Sequence, residues 1–147
     1  GEGYHDHNWF YIYTPLIQRG WHFGKIAGDT LGVTWVKIMN TRFTGEMLGV
    51  LNHKDMNPIM LDPDDVKLSI DKYMFDHGRF IPKIFSLQIE NDWLYVDVKM
   101  ETLNVHHVKL PLVNYWRYHV RIVGTITLNQ VSEEIDSVEI SELMKFF

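Results

Sequence analysis

Residues 84–100 constrain the fold more tightly than any other stretch. Ile84-Phe85-Ser86-Leu87-Gln88-Ile89 alternates apolar and polar side chains. Glu90-Asn91-Asp92 then supplies turn chemistry, and Trp93-Leu94-Tyr95-Val96-Asp97-Val98-Lys99-Met100 alternates again. A period of two puts one set of side chains on each face of an extended chain, so the stretch is predicted to be a β-hairpin. The same chemistry recurs. Trp21–Met39 is rich in Val, Ile, Thr and Trp and is broken by Gly28-Asp29, which suggests a second hairpin. Leu103–Leu110 is predicted as a short strand ended by Pro111. Tyr115–Leu128 is expected to be the longest strand, with a bend or bulge at Gly124.

Two segments admit two readings. Asp62-Pro63-Asp64-Asp65 resembles a helix start, but Val66, Leu68 and Ile70 alternate with Lys67, Ser69 and Asp71, which favours a strand. The tail from Ser132 to Leu143 has a capping-box-like start, yet its Val138 and Ile140 alternate, favouring a closing strand. Gly20, Gly24, Gly28 and Gly32 recur every four residues and suit turns and bulges of such strands. Many short strands with little helix argue for an all-β, antiparallel barrel or sandwich.

At 147 residues, 46% of them hydrophobic, residues 1–147 are expected to form a single domain with a real core. Net charge is -5 and the lysines are scattered, so no nucleic-acid footprint is present. No apolar run reaches the roughly 18–20 residues of a membrane helix, so the chain is not expected to span a membrane with one. Cysteine is absent, which removes thiol chemistry and Cys-ligated zinc. The glycine spacing around Gly24-Lys25 and Gly28-Asp29-Thr30 makes no phosphate loop, and none of the serines sits in a nucleophile elbow.

The candidate chemistry lies at the start: Gly1-Glu2-Gly3-Tyr4-His5-Asp6-His7-Asn8-Trp9-Phe10. If extended, His5, His7 and Trp9 share one face, and Tyr4, Asp6 and Asn8 the other. Three readings stay open. The His-x-His pair could ligate a metal, with a third ligand from His22, His53, His77, His107 or a carboxylate; no spacing selects one, so no metal is expected. The run could be a rigid hydrogen-bonded corner. Or Tyr4, His5, Asp6 and His7 could form a proton-transfer set beside an organic ligand, with Trp9, Trp21, Trp35 and Trp116 as aromatic walls. For each single tryptophan, plain core packing is the better expectation. His106 and His107 would point to opposite faces of a strand and not chelate together.

Gly-Tyr-His-Asp-His-Asn-Trp, followed by Trp21-His22-Phe23-Gly24-Lys25, resembles the carotenoid hydratase-like family, also called AttH-like or hydroxyneurosporene synthase-like. The resemblance implies a lipocalin-like β-barrel, here the C-terminal one of a two-barrel protein. It implies an apolar or polyene-like ligand and, in some members, hydration, isomerisation or cyclisation of an alkene without any cofactor. In the hydratases it also implies an acid in a Tyr-x-Asp setting on the next strand. Here that strand reads Val33-Thr34-Trp35-Val36-Lys37 and carries no acid, with Asp29 the nearest carboxylate. The alternative is a non-catalytic ligand-binding or interaction barrel whose His-rich motif packs a domain interface. Either way the chain is expected to pack against a second barrel or to self-associate.

Overall fold

The structure, a computed structural model, describes residues 18–40 and 45–146. Among them nine strands form one antiparallel sheet: β1 (Gln18–Ala27), β2 (Leu31–Asn40), β3 (Gly45–His53), β4 (Met56–Met60), β5 (Val66–Asp76), β6 (Arg79–Glu90), β7 (Leu94–Leu110), β8 (Val113–Leu128) and β9 (Val131–Phe146). The order across the sheet is β4-β3-β2-β1-β9-β8-β7-β6-β5. The first and last strands in sequence are therefore neighbours: Trp21 of β1 faces Met144 of β9, and Gly24 faces Ser141. Every other pair of neighbours is consecutive in sequence, as in an up-and-down antiparallel sheet.

The sheet curls until β3 meets the start of β5. Leu61 N–H donates to Gly49 O at 2.9 Å. A side chain at Gly49 would meet Leu61 and Val66 at 3.0 and 3.2 Å, so the two strands already lie in van der Waals range of each other. Between them the chain makes a single 3-10 turn, Pro63–Asp65, capped by the Asp62 carboxylate on Asp64 N–H at 3.0 Å. The strand reading of that segment thus holds: the capped start led by Pro63 makes one turn and goes straight into β5.

Alternation fixes which face is inside. In β7, Leu94, Val96, Val98 and Met100 are buried while Tyr95, Asp97, Lys99 and Glu101 are exposed. In β8 Trp116, Tyr118, Val120 and Ile122 are buried in the same way. With Val33, Trp35, Phe85, Leu87, Ile89 and Ile126 they fill the lower barrel. Gly24 serves this packing: a Cβ there would lie 2.5 Å from Cζ2 of Trp35, so only glycine lets the indole lie flat beneath β1.

The structure corrects three details. Leu103–Leu110 is no separate strand. It continues β7, with a register shift between Thr102 and Asn104, which makes β7 (17 residues) longer than β8 (16 residues). Gly124 (φ +155°) causes no register shift. It lets β8 close on β7, where a Cβ would sit 2.1 Å from Asp97 O. Finally, β6 begins at Arg79 rather than at Ile84, although its ladder with β7 starts only at Ile84. Pro82 lacks an N–H to donate, and Thr102 Oγ1 donates instead to Pro82 O at 3.1 Å.

Candidate functional site

Among the described residues one end of the barrel is closed by the β1–β2 turn and the other is open. At the plugged end Glu133 of β9 accepts hydrogen bonds from Asp29, Thr30 and Leu31 N–H, tying down the β1–β2 turn. At the open end a cavity of 680 Å3 runs down the seam between β3 and β5. Its apolar wall includes Met39, Met47, Leu68, Ile70, Leu143 and Phe146.

His22 reaches this cavity from the inward face of β1 and is 3% exposed. Its Nε2 lies 3.2 Å from Ser141 Oγ, and that hydroxyl donates to Phe23 O at 2.6 Å. A hydroxyl with its proton committed to the carbonyl acts as acceptor, so His22 carries its proton on Nε2. Aromatic rings surround it: Trp35 edge-on at 4.9 Å, Phe85 at 5.2 Å and Tyr118 at 6.1 Å. Burial first, then the nearby charges of Lys37 and Lys145, push its pKa down to about 3. His22 is therefore a neutral donor under the cavity, not a cation.

The cavity lining is basic. Arg19, Lys37, Lys67, Arg79 and Lys145 contribute to it, and among the described residues no carboxylate does. Lys37 continues the inward row Leu31, Val33, Trp35 on β2. Lys145 reaches from β9 across to β6, where Nζ donates to Phe80 O at 3.2 Å. Partial burial and the charge of Arg79 lower its pKa.

A second polar cluster sits on the rim. Asp76 Oδ2 accepts from Trp116 Nε1 at 2.9 Å and lies 2.7 Å from His77 Nδ1. His77 stacks on His107 at 4.1 Å, and His107 Nε2 lies 3.1 Å from Asn114 Oδ1. Burial alone would raise the Asp76 carboxyl, but the hydrogen bonds from His77 and Trp116 outweigh it, leaving the pKa below the usual value. The cluster clasps the β5–β6 hairpin onto β8. It supplies the inward Trp116 with a partner that the sheet does not.

Tyr4, His5, Asp6, His7 and Trp9 lie outside the described residues. Of the other proposed walls, Trp35 and Trp116 are fully buried core, 1% and 0% exposed, and neither borders the cavity. Trp21 is half-buried and packs edge-on against Phe146 at 5.9 Å, also off the wall. His106 and His107 do diverge: His106 meets His119, while His107 meets His77 and Trp116. Among the described residues no three His, Asp or Glu side chains are placed to hold a metal, and no helix is long and apolar enough to cross a membrane. Sequence reasoning named His22 only as a spare metal ligand and passed over the cations of the lining. The available signal was Lys37, a cation in register with the inward Val33 and Trp35.

No protein-family model and no curated protein sequence matches the chain. Solved structures do. A candidate AttH from Nitrosomonas europaea superposes with TM-score 0.64 at 12% identity, over 87% of this chain and 39% of that one. CghA, solved with Sch210972, superposes with TM-score 0.53 at 8% identity, over 91% of this chain and 42% of that one. The chain thus spans about two fifths of the length of these proteins. At such identities the likeness establishes architecture alone, and the architecture is a lipocalin-like antiparallel β-barrel similar to that of the candidate AttH.

Proposed function

We propose that the barrel binds an apolar, polyene-like small molecule in the cavity along the β3–β5 seam. The observation that carries this reading is the 680 Å3 cavity itself, open at one end among the described residues and walled by Met39, Met47, Leu68, Ile70, Leu143 and Phe146. Small-molecule sites are of this kind: roughly 300–1,000 Å3, mostly apolar, with a few convergent polar groups. Two methionines suit it to an irregular ligand, because the thioether chain adapts its shape cheaply. The likeness to a candidate AttH and to CghA, solved with Sch210972, supports the same reading.

Hydration, isomerisation or cyclisation of an alkene would add a chemical step, for which Tyr4, His5, Asp6 and His7, outside the described residues, remain the candidate set. Protonating an alkene needs a strong acid against the ligand. The described wall offers a neutral His22 and no carboxylic acid. His22 Nε2–H and the surrounding rings instead suit orientation of a bound molecule.

Titration with Nile red, a neutral apolar dye, tests the reading. One dye per chain is expected, and Leu68→Trp, which fills the cavity, should weaken binding by about tenfold or more. Unchanged affinity in a Leu68→Trp protein with normal far-ultraviolet circular dichroism would place the dye elsewhere and overturn it.

A further inference from the structure

The charge of the cavity lining narrows the class of ligand. The chain is acidic overall, with 19 Asp and Glu against 14 Lys and Arg, yet the cavity wall holds five cations and no described carboxylate. Elsewhere on the barrel several cations are matched: Lys25 with Glu139 at 3.1 Å, Arg117 with Glu142 at 3.1 Å and Arg121 with Asp136 at 3.1 Å. Lys37, Arg79 and Lys145 form no ion pair with any described carboxylate.

These three line one cavity from different strands. Lys37 lies opposite His22 across the β1–β2 ladder, and Lys145 lies opposite Gly20 across the β1–β9 ladder. Gly20 puts no side chain between them. Lys145 then crosses the lumen to Phe80 O, next in sequence to Arg79. Like charges in one partly desolvated cavity repel one another, and an anion placed among them relieves that repulsion. A guanidinium and two ammonium groups lining one cavity suit an oxyanion, the first by its fork and the others as point charges.

We propose that the ligand is an amphiphile with an oxyanion head group. The head is held by Lys37, Arg79 and Lys145, and the apolar chain runs along Leu68, Ile70 and Met47 in the seam. This rests on the binding role proposed above and adds the charge of the ligand to it.

cis-Parinaric acid, a fluorescent polyene carboxylate, and its methyl ester form the test, with the full chain at pH 7.5. The acid should bind about tenfold tighter than the ester. In Lys37→Met/Lys145→Met the acid should fall to the affinity of the ester, while the ester is unaffected. The single variants read the same loss in part should the pair fail to fold, and Lys37→Arg should keep the preference. Displacement of the acid by hexadecanoate or by hexadecyl phosphate, better than by hexadecanol, identifies which oxyanion fits best. Equal binding of acid and ester by the unaltered chain, or a preference that survives in the double variant, overturns the anionic head group and leaves the apolar-ligand reading standing. Binding of neither parinaric probe also overturns it, and Nile red in the same sample shows whether the apolar-ligand reading falls with it.

Discussion

His22 sits in the fold as a neutral imidazole down to about pH 3, whereas in the unfolded chain it titrates near 6.5. Over that window the unfolded state binds more protons. Stability is therefore full above pH 6.5 and falls as pH drops toward 3, at most about 1.4 kcal/mol per pH unit from this residue. Urea melts between pH 7.5 and 4.5 should show that loss, and His22→Gln should flatten it. Equal slopes for the two proteins would mean that His22 is reached by solvent in the fold. Tyr118 is a second buried polar case. Its hydroxyl has no hydrogen-bond partner among the described residues, and burial, with the charge of Asp76, raises its pKa. A stranded hydroxyl costs free energy, so Tyr118→Phe should be neutral or stabilise by about 1 kcal/mol. A loss of more than about 1 kcal/mol in the same melts would show a partner for that hydroxyl. At this scale the sequence was only half legible. Trp35 and Trp116 follow the ordinary fate of large aromatics, and the alternation Val33-Trp35-Lys37 marks an inward cation. No local pattern reveals that His22 meets Ser141, 119 residues away.

Hairpins are the best-read elements. The turn at Gly28-Asp29 and the turn at Glu90-Asn91-Asp92 fall where composition puts them, and β9 closes the sheet as its alternation suggests. What composition lacks is the tertiary support of those turns. The β1–β2 turn is held from β9 by Glu133, whose two carboxylate oxygens accept from Thr30 N–H at 3.2 Å and Leu31 N–H at 3.0 Å, and from Asp29 N–H. Glu133→Ala should cost about 1–2 kcal/mol and speed amide exchange at Thr30 and Leu31, while Glu133→Gln should fall between. Exchange unchanged at both amides would show that the turn stands without its anchor. The boundary of β7 was misread for a related reason. Thr102 and Asn104 interrupt the register locally, but pairing with β8 carries the strand on to Leu110. A ladder on one side outweighs a break in pattern.

For the molecule as a whole, alternation along each strand plus closure of first strand on last leaves a barrel packed at one end and hollow at the other. The packed end follows from Val, Ile, Leu and Trp at inward positions. The hollow is lined by small, flexible or charged side chains, Gly45, Met47 and Lys37 among them. The cavity as a whole is invisible in the sequence, because its wall is drawn from strands far apart in the chain. Binding in that cavity is the central claim, and methyl-resolved nuclear magnetic resonance tests it most directly. On titration with Nile red, the methyl signals of Val66, Leu68, Ile70, Leu143, Met39 and Met47 should shift. Those of Leu94, Val96 and Ile126 in the packed end should hold still. Shifts confined to exposed outer residues such as Val108, Val123 and Val138, with the seam methyls unmoved, would contradict it.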